Sequence, residues 1–169
     1  AQDLAERAGW ECHFPPQHDT VTVAVLTKSN VTGDPPRVIE VLGEVNGLTE
    51  ADLKISSIVE LHDGQRYSVP SPLVLLKAKL YNLISLVHQD RPQDLRHTRM
   101  LMELVPHFLS DQATEVRAGR MPERELLWTI RYLGDVLRLP WVGNAVHAHR
   151  LNLRSMFPPW LREACPDAA

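Results

Sequence analysis

Apolar and polar residues alternate along the first part of the chain and then recur at helical spacing, with the change near Pro70. Short alternating runs rich in β-branched residues are typical of strands. Between the last two runs, His62-Asp63-Gly64-Gln65 contains the Asp-Gly pair of a hairpin turn. The pattern therefore predicts strands over residues 10–14, 20–26, 37–45, 55–61 and 66–69.

After Pro70 the apolar residues fall every three or four positions, which is typical of amphipathic helices. Ser71 can cap a helix, and Pro72 suits its first turn. The face of this first helix is predicted to carry Leu73, Leu76, Leu80, Leu83, Ile84 and Val87. Further helices are predicted from about residue 92, over residues 122–137 and in short pieces after residue 140.

Strands first and helices afterwards predict the α+β class, with a small mixed or antiparallel sheet followed by a C-terminal helical bundle. The change from alternating to helical spacing of apolar residues at Pro70 predicts a partial sheet domain over residues 1–70 and a helical domain over residues 71–169.

The composition is that of a folded domain, because 44% of the 169 residues are apolar and 23% are charged. It excludes a disordered tail, a collagen-like fibre and a disulfide-rich miniprotein. The net charge is −3, which does not favour nucleic acid as a general partner. Acidic side chains exceed basic ones by six in residues 1–70, whereas basic ones exceed acidic ones by three in the remainder.

Two distant cysteines, Cys12 and Cys165, make neither a zinc motif nor a disulfide framework. No stretch of 18 apolar residues and no signal peptide is present, so we expect a cytoplasmic protein without a membrane partner. The chain begins at Ala1 and not at Met, which leaves open whether a further segment precedes it.

Glu40 is the one acidic residue in the middle of the apolar run Val-Ile-Glu-Val-Leu. A buried carboxylate needs a cation or a hydrogen-bonding partner, so Glu40 is a candidate metal ligand or general base. Strand alternation leaves the other possibility that it faces solvent. Glu44 lies on the same face if the strand stays regular past Gly43.

Lys79 borders the apolar face of the first predicted helix, where its ammonium could reach a phosphate or simply extend into solvent. Asp94 follows Pro92 and could cap the next helix as readily as act in chemistry. Nearby basic residues could hold phosphate or pair with acidic neighbours. These are Arg91, Arg96, His97 and Arg99.

The chain contains no Walker A loop, no G-x-G-x-x-G, no H-E-x-x-H and no G-x-S-x-G motif. The order of its features nevertheless resembles the later part of nucleotidyltransferase-fold proteins of the polymerase-β-like superfamily. Abortive-infection type toxin nucleotidyltransferases are the most similar group. The resemblance covers about residues 18–109. It lies in the strand acid Glu40, a Ser-Pro-x-x-Leu-Leu-x-x-Lys-Leu helix containing Lys79, and an Arg-x-x-Asp-x-x-His segment with Asp94 and His97.

The resemblance implies transfer of a nucleotidyl group from an NTP, with Mg²⁺, to a hydroxyl acceptor. Glu40 would then be the catalytic and metal-binding carboxylate. The nucleotide-binding residues would be Lys79, Asp94 and His97. The Gly-Ser turn and the Asp-x-Asp pair of these proteins are absent here, so they are expected upstream of Ala1. An antitoxin or an RNA acceptor is the partner that this resemblance implies.

A catalytically inactive interaction module of the same ancestry is the alternative. In that case the aromatic residues of the helical part could be partner anchors, although core packing is their more common role. These residues are Trp128, Tyr132, Trp141 and Trp160. The basic excess after residue 70 leaves a helical domain that contacts RNA or DNA as a third hypothesis.

Overall fold

The computed structural model describes residues 6–14, 22–29, 35–60, 64–85 and 92–164. It confirms the α+β class. Within these residues the strands form two antiparallel sheets, of three and two strands, and not one mixed sheet. The contacts divide the chain into two compact units, Ala1–Val45 and Asn46–Ala169.

The first unit is built on β1 (Glu11–His13), β2 (Thr22–Lys28) and β3 (Arg37–Leu42), in that spatial order. The register pairs Val25 with Glu40 and shifts between Thr22 and Ala24. The strand predicted over residues 37–45 ends at Leu42, where its pairing with Thr22 ends. The condition for placing Glu44 on the face of Glu40 is therefore not met, because Glu44 lies beyond the strand.

The second unit begins with α1 (Glu50–Leu53) and the hairpin of β4 (Ser56–Glu60) and β5 (Arg66–Pro70). The antiparallel pairing of β4 with β5 confirms the predicted hairpin, although residues 62 and 63 of its turn lie outside the described part. Five helical elements follow the main helix α2 (Pro72–Ser85). They are α3 (Pro92–Arg117), α4 (Glu123–Leu137), α5 (Pro140–His149), a 3₁₀ turn (Leu153–Met156) and α6 (Pro159–Ala164).

The β4–β5 hairpin groups with the helices, whereas the sequence pattern placed residues 1–70 together. Ser71 alone separates β5 from α2, and its backbone N–H donates to the carbonyl of Ile55 at 3.1 Å. A change in the period of apolar residues thus marks the start of a helix without marking a break in packing. The predicted boundary at residue 70 marks the change from strands to helices. The division after Val45 instead separates two groups of tertiary contacts.

The hydrophobic core of the second unit lies around α2. The predicted face of this helix is buried at Leu73, Leu76, Leu80 and Leu83, while Val87 lies outside the described residues. Burying a leucine side chain stabilises a fold by about 2 kcal/mol, so this stripe anchors the unit. It packs against fully buried residues of the surrounding helices, which are Val105, Leu109, Leu133, Val142, Ala145 and Met156.

The turn before α1 approaches α2 closely at Gly47. Its φ of +79° lies in the left-handed region, and a Cβ built there would stand 2.5 Å from Cβ and Cγ of Tyr81. Tyr81 in turn packs edge-on against Trp141 of α5, with the ring centroids 5.3 Å apart. Both the backbone conformation and the contact therefore require glycine at this position.

We predict that Gly47→Ala lowers the free energy of unfolding by about 2–4 kcal/mol, because left-handed strain and overpacking add together. Gly119→Ala is the matched control, since Gly119 has a φ of +70° with nothing within 4 Å of the added Cβ. It should cost only about 1 kcal/mol. Urea unfolding of the two variants measures the difference, and equal losses would show that Tyr81 does not restrict this turn.

Candidate functional site

Asp52 is a buried acidic residue of the second unit that accepts hydrogen bonds from several groups. It belongs to a Thr-x-x-Asp capping box at the start of α1, in which Thr49 and Asp52 cap each other. The backbone N–H and the hydroxyl of Thr49 donate to Oδ2 of Asp52 at 2.6 and 2.7 Å. A four-residue helix is too short to persist alone, so this box fixes the start of α1.

Two residues distant in sequence complete the shell around Asp52. The ammonium of Lys77 donates to both carboxylate oxygens at 2.8 and 2.7 Å. The hydroxyl of Tyr132 donates to Oδ1 at 2.7 Å. The Lys77 and Asp52 side chains are only 14% and 5% exposed. This Asp52 cluster (Thr49, Asp52, Lys77 and Tyr132) therefore joins α1, α2 and α4.

The cluster sets the protonation of its members. Burial disfavours the charge on Asp52, but hydrogen bonds from Lys77, Tyr132 and Thr49 outweigh it and lower the pKa of the carboxyl from 3.8 to about 2. Burial and the adjacent carboxylate raise the pKa of the Tyr132 hydroxyl well above its ordinary value. At neutral pH the tyrosine hydroxyl keeps its proton and donates a hydrogen bond to the ionised aspartate, which favours a structural role for the cluster.

The second buried aspartate, Asp94, bonds the other lysine of α2. The ammonium of Lys79 lies 2.7 Å from Oδ1 of Asp94, and the two side chains are 30% and 8% exposed. This contact joins α2 to the first turn of α3. The structure thus brings together two of the predicted nucleotide-binding residues, with the aspartate buried and the lysine reaching the surface.

His97 follows Asp94 by three residues on α3 and is half-buried. Residues three apart lie on the same helix face, so His97 occupies the face that bears Asp94. Arg96 and Arg99 are exposed, whereas Arg91 of the predicted basic cluster lies outside the described residues.

Glu40 belongs to the first unit, where it occupies β3 opposite Val25. Its side chain is exposed and makes no ion pair within the described part of the chain. Among the described residues, no group of three His, Cys, Asp or Glu side chains is placed to hold a metal ion. Glu40 could thus supply one hard oxygen ligand for Mg²⁺, but the described residues do not form a complete site.

A cleft of about 480 Å³ lies within the second unit, between the start of the hairpin and helices α3 and α4. Its lining residues include Ile58 of β4, Gln112 of α3 and Trp128 of α4. The amide oxygen of Gln112 is buried and has no hydrogen-bond partner. Trp128 was a candidate anchor from its residue type, but its half-exposed position at a cleft is not readable from sequence.

No family model, curated protein or solved structure matches this chain. Among the described helices, none is both long and apolar enough to cross a membrane.

We predict that the Asp52 cluster makes the fold sensitive to acid. Because the pKa of Asp52 is lower in the folded state, its contribution is present above the ordinary pKa near 4 and is lost as the pH falls towards 2. The shift corresponds to about 2 kcal/mol. Urea unfolding between pH 2 and 6 should show this loss for the natural sequence.

The variants Asp52→Asn and Lys77→Met should each cost about 3–5 kcal/mol, because each leaves one buried group without its partner. The double variant should cost less than the sum of the two. The exposed pair Glu50 and Lys54, 3.4 Å apart, is the control, and its removal should change stability little. Additive losses at positions 52 and 77 would contradict a direct coupling.

Proposed function

We propose that the chain is a nucleotidyltransferase-like protein in which Lys79 binds a phosphate group of an NTP. The observation that carries this proposal is the Lys79–Asp94 pair: a buried aspartate holds a lysine that still reaches the surface. The order of the sequence features supports it independently. The hydroxyl acceptor and the choice of nucleotide are left to experiment.

The geometry of Lys79 suits phosphate binding. An ammonium has three N–H donors, and Asp94 accepts only one of them. The bond restricts the flexible lysine stem before a ligand arrives, so less conformational entropy is lost on binding. Lys77, by contrast, gives two hydrogen bonds to Asp52 and is more deeply buried, which favours a structural role.

His97 and Glu40 have secondary places in this proposal. His97 lies on the helix face of Asp94, where it could contact the same ligand or steady the pair. Glu40 lies in the first unit and is a separate candidate, as one oxygen ligand for Mg²⁺. One carboxylate cannot hold the two ions that stabilise attacking and leaving oxygens, so this chain alone should bind better than it catalyses.

The test compares two charge-neutral changes. Lys79→Met combined with Asp94→Asn removes the proposed phosphate contact without leaving a buried charge. Glu50→Gln combined with Lys54→Met removes an exposed ion pair of the same charge type. Calorimetric titration with magnesium triphosphate and with the four magnesium NTPs should show about tenfold weaker binding for the first variant only. Equal affinities in both variants would exclude Lys79 as a phosphate ligand.

Glu40→Ala tests the metal part separately. If Glu40 is a ligand, the variant should bind Mg²⁺ more weakly than the natural chain in a calorimetric titration with the ion alone, while triphosphate binding without Mg²⁺ should not change. The same affinity for Mg²⁺ in the natural chain and in the variant would show that the strand carboxylate does not coordinate the ion.

The apolar surface of the first unit favours a second candidate function, that of a catalytically inactive interaction module. All described residues of β3 are exposed, including Val38, Ile39, Val41 and Leu42. These apolar side chains lie on both faces of the strand, and exposed apolar patches mark sites of association. Under this hypothesis Ile39→Lys would abolish association while nucleotide binding, if present, would be unchanged. Sedimentation velocity measures the association state.

A further inference from the structure

Strand β4 is an open edge of the two-stranded sheet, because β5 is its only hydrogen-bonded neighbour in the described part of the chain. The register fixes the direction of its free backbone groups. The N–H of Ser71 donates to the carbonyl of Ile55, so this opposed pair is hydrogen-bonded, and every second pair after it is as well. Val59 therefore bonds β5 through its backbone, whereas the N–H and C=O groups of Ile58 and Glu60 point away from β5.

Pro70 supports this direction independently. It lies in β5 opposite Ser56, in a pair that the alternation leaves without hydrogen bonds between the strands. A proline has no N–H, so a strand tolerates it where that group would point outward. The outer edge of β5 thus lacks one donor. The outer edge of β4 keeps the N–H of each of its three outward residues, which are Ser56, Ile58 and Glu60.

Strand β4 also lacks the features that natural proteins use to protect an open edge. Its sequence contains no proline and no lysine, and its pairing with β5 is regular, without a bulge. A two-stranded hairpin is marginally stable by itself, and a third strand adds hydrogen bonds and buried surface. The free edge of β4 is therefore a template for one more strand.

The cleft of the second unit lies on the β4 side of the hairpin. Two of the three outward residues, Ser56 and Ile58, line it, whereas no residue of β5 does. Its other lining residues include Phe108 of α3 and Trp128 of α4. The volume of about 480 Å³ is within the range of ligand sites. A strand added to β4 would therefore enter a cleft that already exists.

We propose that β4 binds an extended segment of a partner polypeptide as a third, antiparallel strand of the hairpin. In this mode of recognition main-chain hydrogen bonds supply affinity, and side chains at alternate positions supply the preference for a sequence. The segment carries an apolar side chain opposite Ile58, because Ile58 is 63% exposed and the half-exposed Trp128 lines the same cleft. This proposal does not depend on nucleotidyl transfer.

The charges at the two ends of β4 favour the antiparallel direction. Lys54 precedes the strand and Glu60 ends it, and both side chains are exposed. An antiparallel segment places its first residues beside Glu60 and its last residues near Lys54. A base at its start and an acid at its end therefore complement this edge. The existing contacts of Lys54 with Glu50 and of Glu60 with Arg66, at 3.4 and 4.0 Å, lie in solvent and are weak.

A single segment fits this edge better than a second copy of the chain does. A copy would bring its own hairpin and the helices that border its own cleft. One added strand needs only about 5 Å of width beside β4. The space bordered by β4 and the helices is a cleft of about 480 Å³, which suits one short strand and not a second sheet with its helices.

The probe is the peptide acetyl-Lys-Thr-Val-Thr-Glu-amide, titrated into the full chain and followed by ¹H–¹⁵N NMR. Its valine lies opposite Ile58 when its lysine lies opposite Glu60. Binding should slow hydrogen exchange at the outward amides of Ile58 and Glu60 and leave the amide of Val59, which already bonds β5, unchanged. The peptide in which lysine and glutamate change places has the same composition, and we expect it to bind about threefold more weakly.

Methylation of the peptide nitrogens tests the backbone bonds directly. Methyl groups on both threonines block one edge of the extended peptide and leave the other edge intact. Methyl groups on the first threonine and on the valine are equal in number but block both edges. We expect the first form to bind within about threefold of the parent peptide and the second form at least about tenfold more weakly.

Ile58→Pro and Ser68→Pro are matched variants of the chain, since the two residues lie opposite each other and neither N–H takes part in the pairing of β4 with β5. Ile58→Pro removes a donor from the proposed binding edge, whereas Ser68→Pro removes one from the outer edge of β5. We expect the first to weaken peptide binding at least about tenfold and the second to retain it. Urea unfolding compares their stability, and the methylated peptides test the natural chain independently of both variants.

The proposal is overturned if the parent peptide shows no saturable binding up to about 5 mM, if the two methylated forms bind equally, or if Ile58→Pro binds as the natural chain does. Tighter binding of the peptide with exchanged charges would overturn the antiparallel direction. A dimer in sedimentation velocity that Ile58→Pro dissociates would also overturn the proposal, because a second copy would then occupy the edge. Failure of the phosphate titrations at Lys79 leaves these outcomes unaffected, since they report on different residues.

Discussion

The carboxylate of Asp52 holds the second unit together. It is a buried charge, which is costly unless surrounding donors compensate it, and those donors come from the N-cap residue of α1 and from helices α2 and α4. Lys77 and Tyr132 lie 25 and 80 residues away along the chain, yet both bond the same group. Without these bonds the short helix α1 would lose its side-chain connection to α2 and α4.

This constraint separates the roles of two lysines on one helix. Lys77 and Lys79 are two positions apart, which places them on different sides of α2. The bonds of Lys77 to both oxygens of Asp52 fix the structure. The single bond of Lys79 to Asp94 orients its ammonium and leaves donor capacity at the surface. The same helix thus supports the fold through one lysine and carries the candidate phosphate contact through the other. The support of Trp128 by Tyr132 extends the influence of the Asp52 cluster to the cleft.

Much of the fold is encoded in local pattern. The alternating run around Glu40 and the apolar stripe from Leu73 to Leu83 are local signals, and the structure confirms both elements. The end of β3 at Leu42 was not predictable, because it depends on where its partner strand stops pairing. The helix α1 was missed, although Thr49-x-x-Asp52 is a capping-box pattern that could have indicated it.

The candidate sites were harder to predict than the fold, since they depend on contacts between distant segments. Sequence order brought Lys79 and Asp94 into one hypothesis, and the structure shows them bonded, while binding of a nucleotide by them stays a prediction. The hydrogen bonds of Lys77 to Asp52 could not be predicted from the sequence, because no local pattern distinguishes Lys77 from Lys79 on the same helix. The unpaired amide oxygen of Gln112 results from tertiary packing, so the sequence does not predict it.

The central claim is that Lys77 is structural and Lys79 is available to a ligand. Selective ¹⁵N labelling of lysine, with detection of the side-chain ammonium groups, measures both residues in one sample as magnesium triphosphate is added. We expect a saturable shift of the Lys79 signal and no change at Lys77. A shift at Lys77 alone, or no shift at Lys79 up to saturating triphosphate, would contradict it.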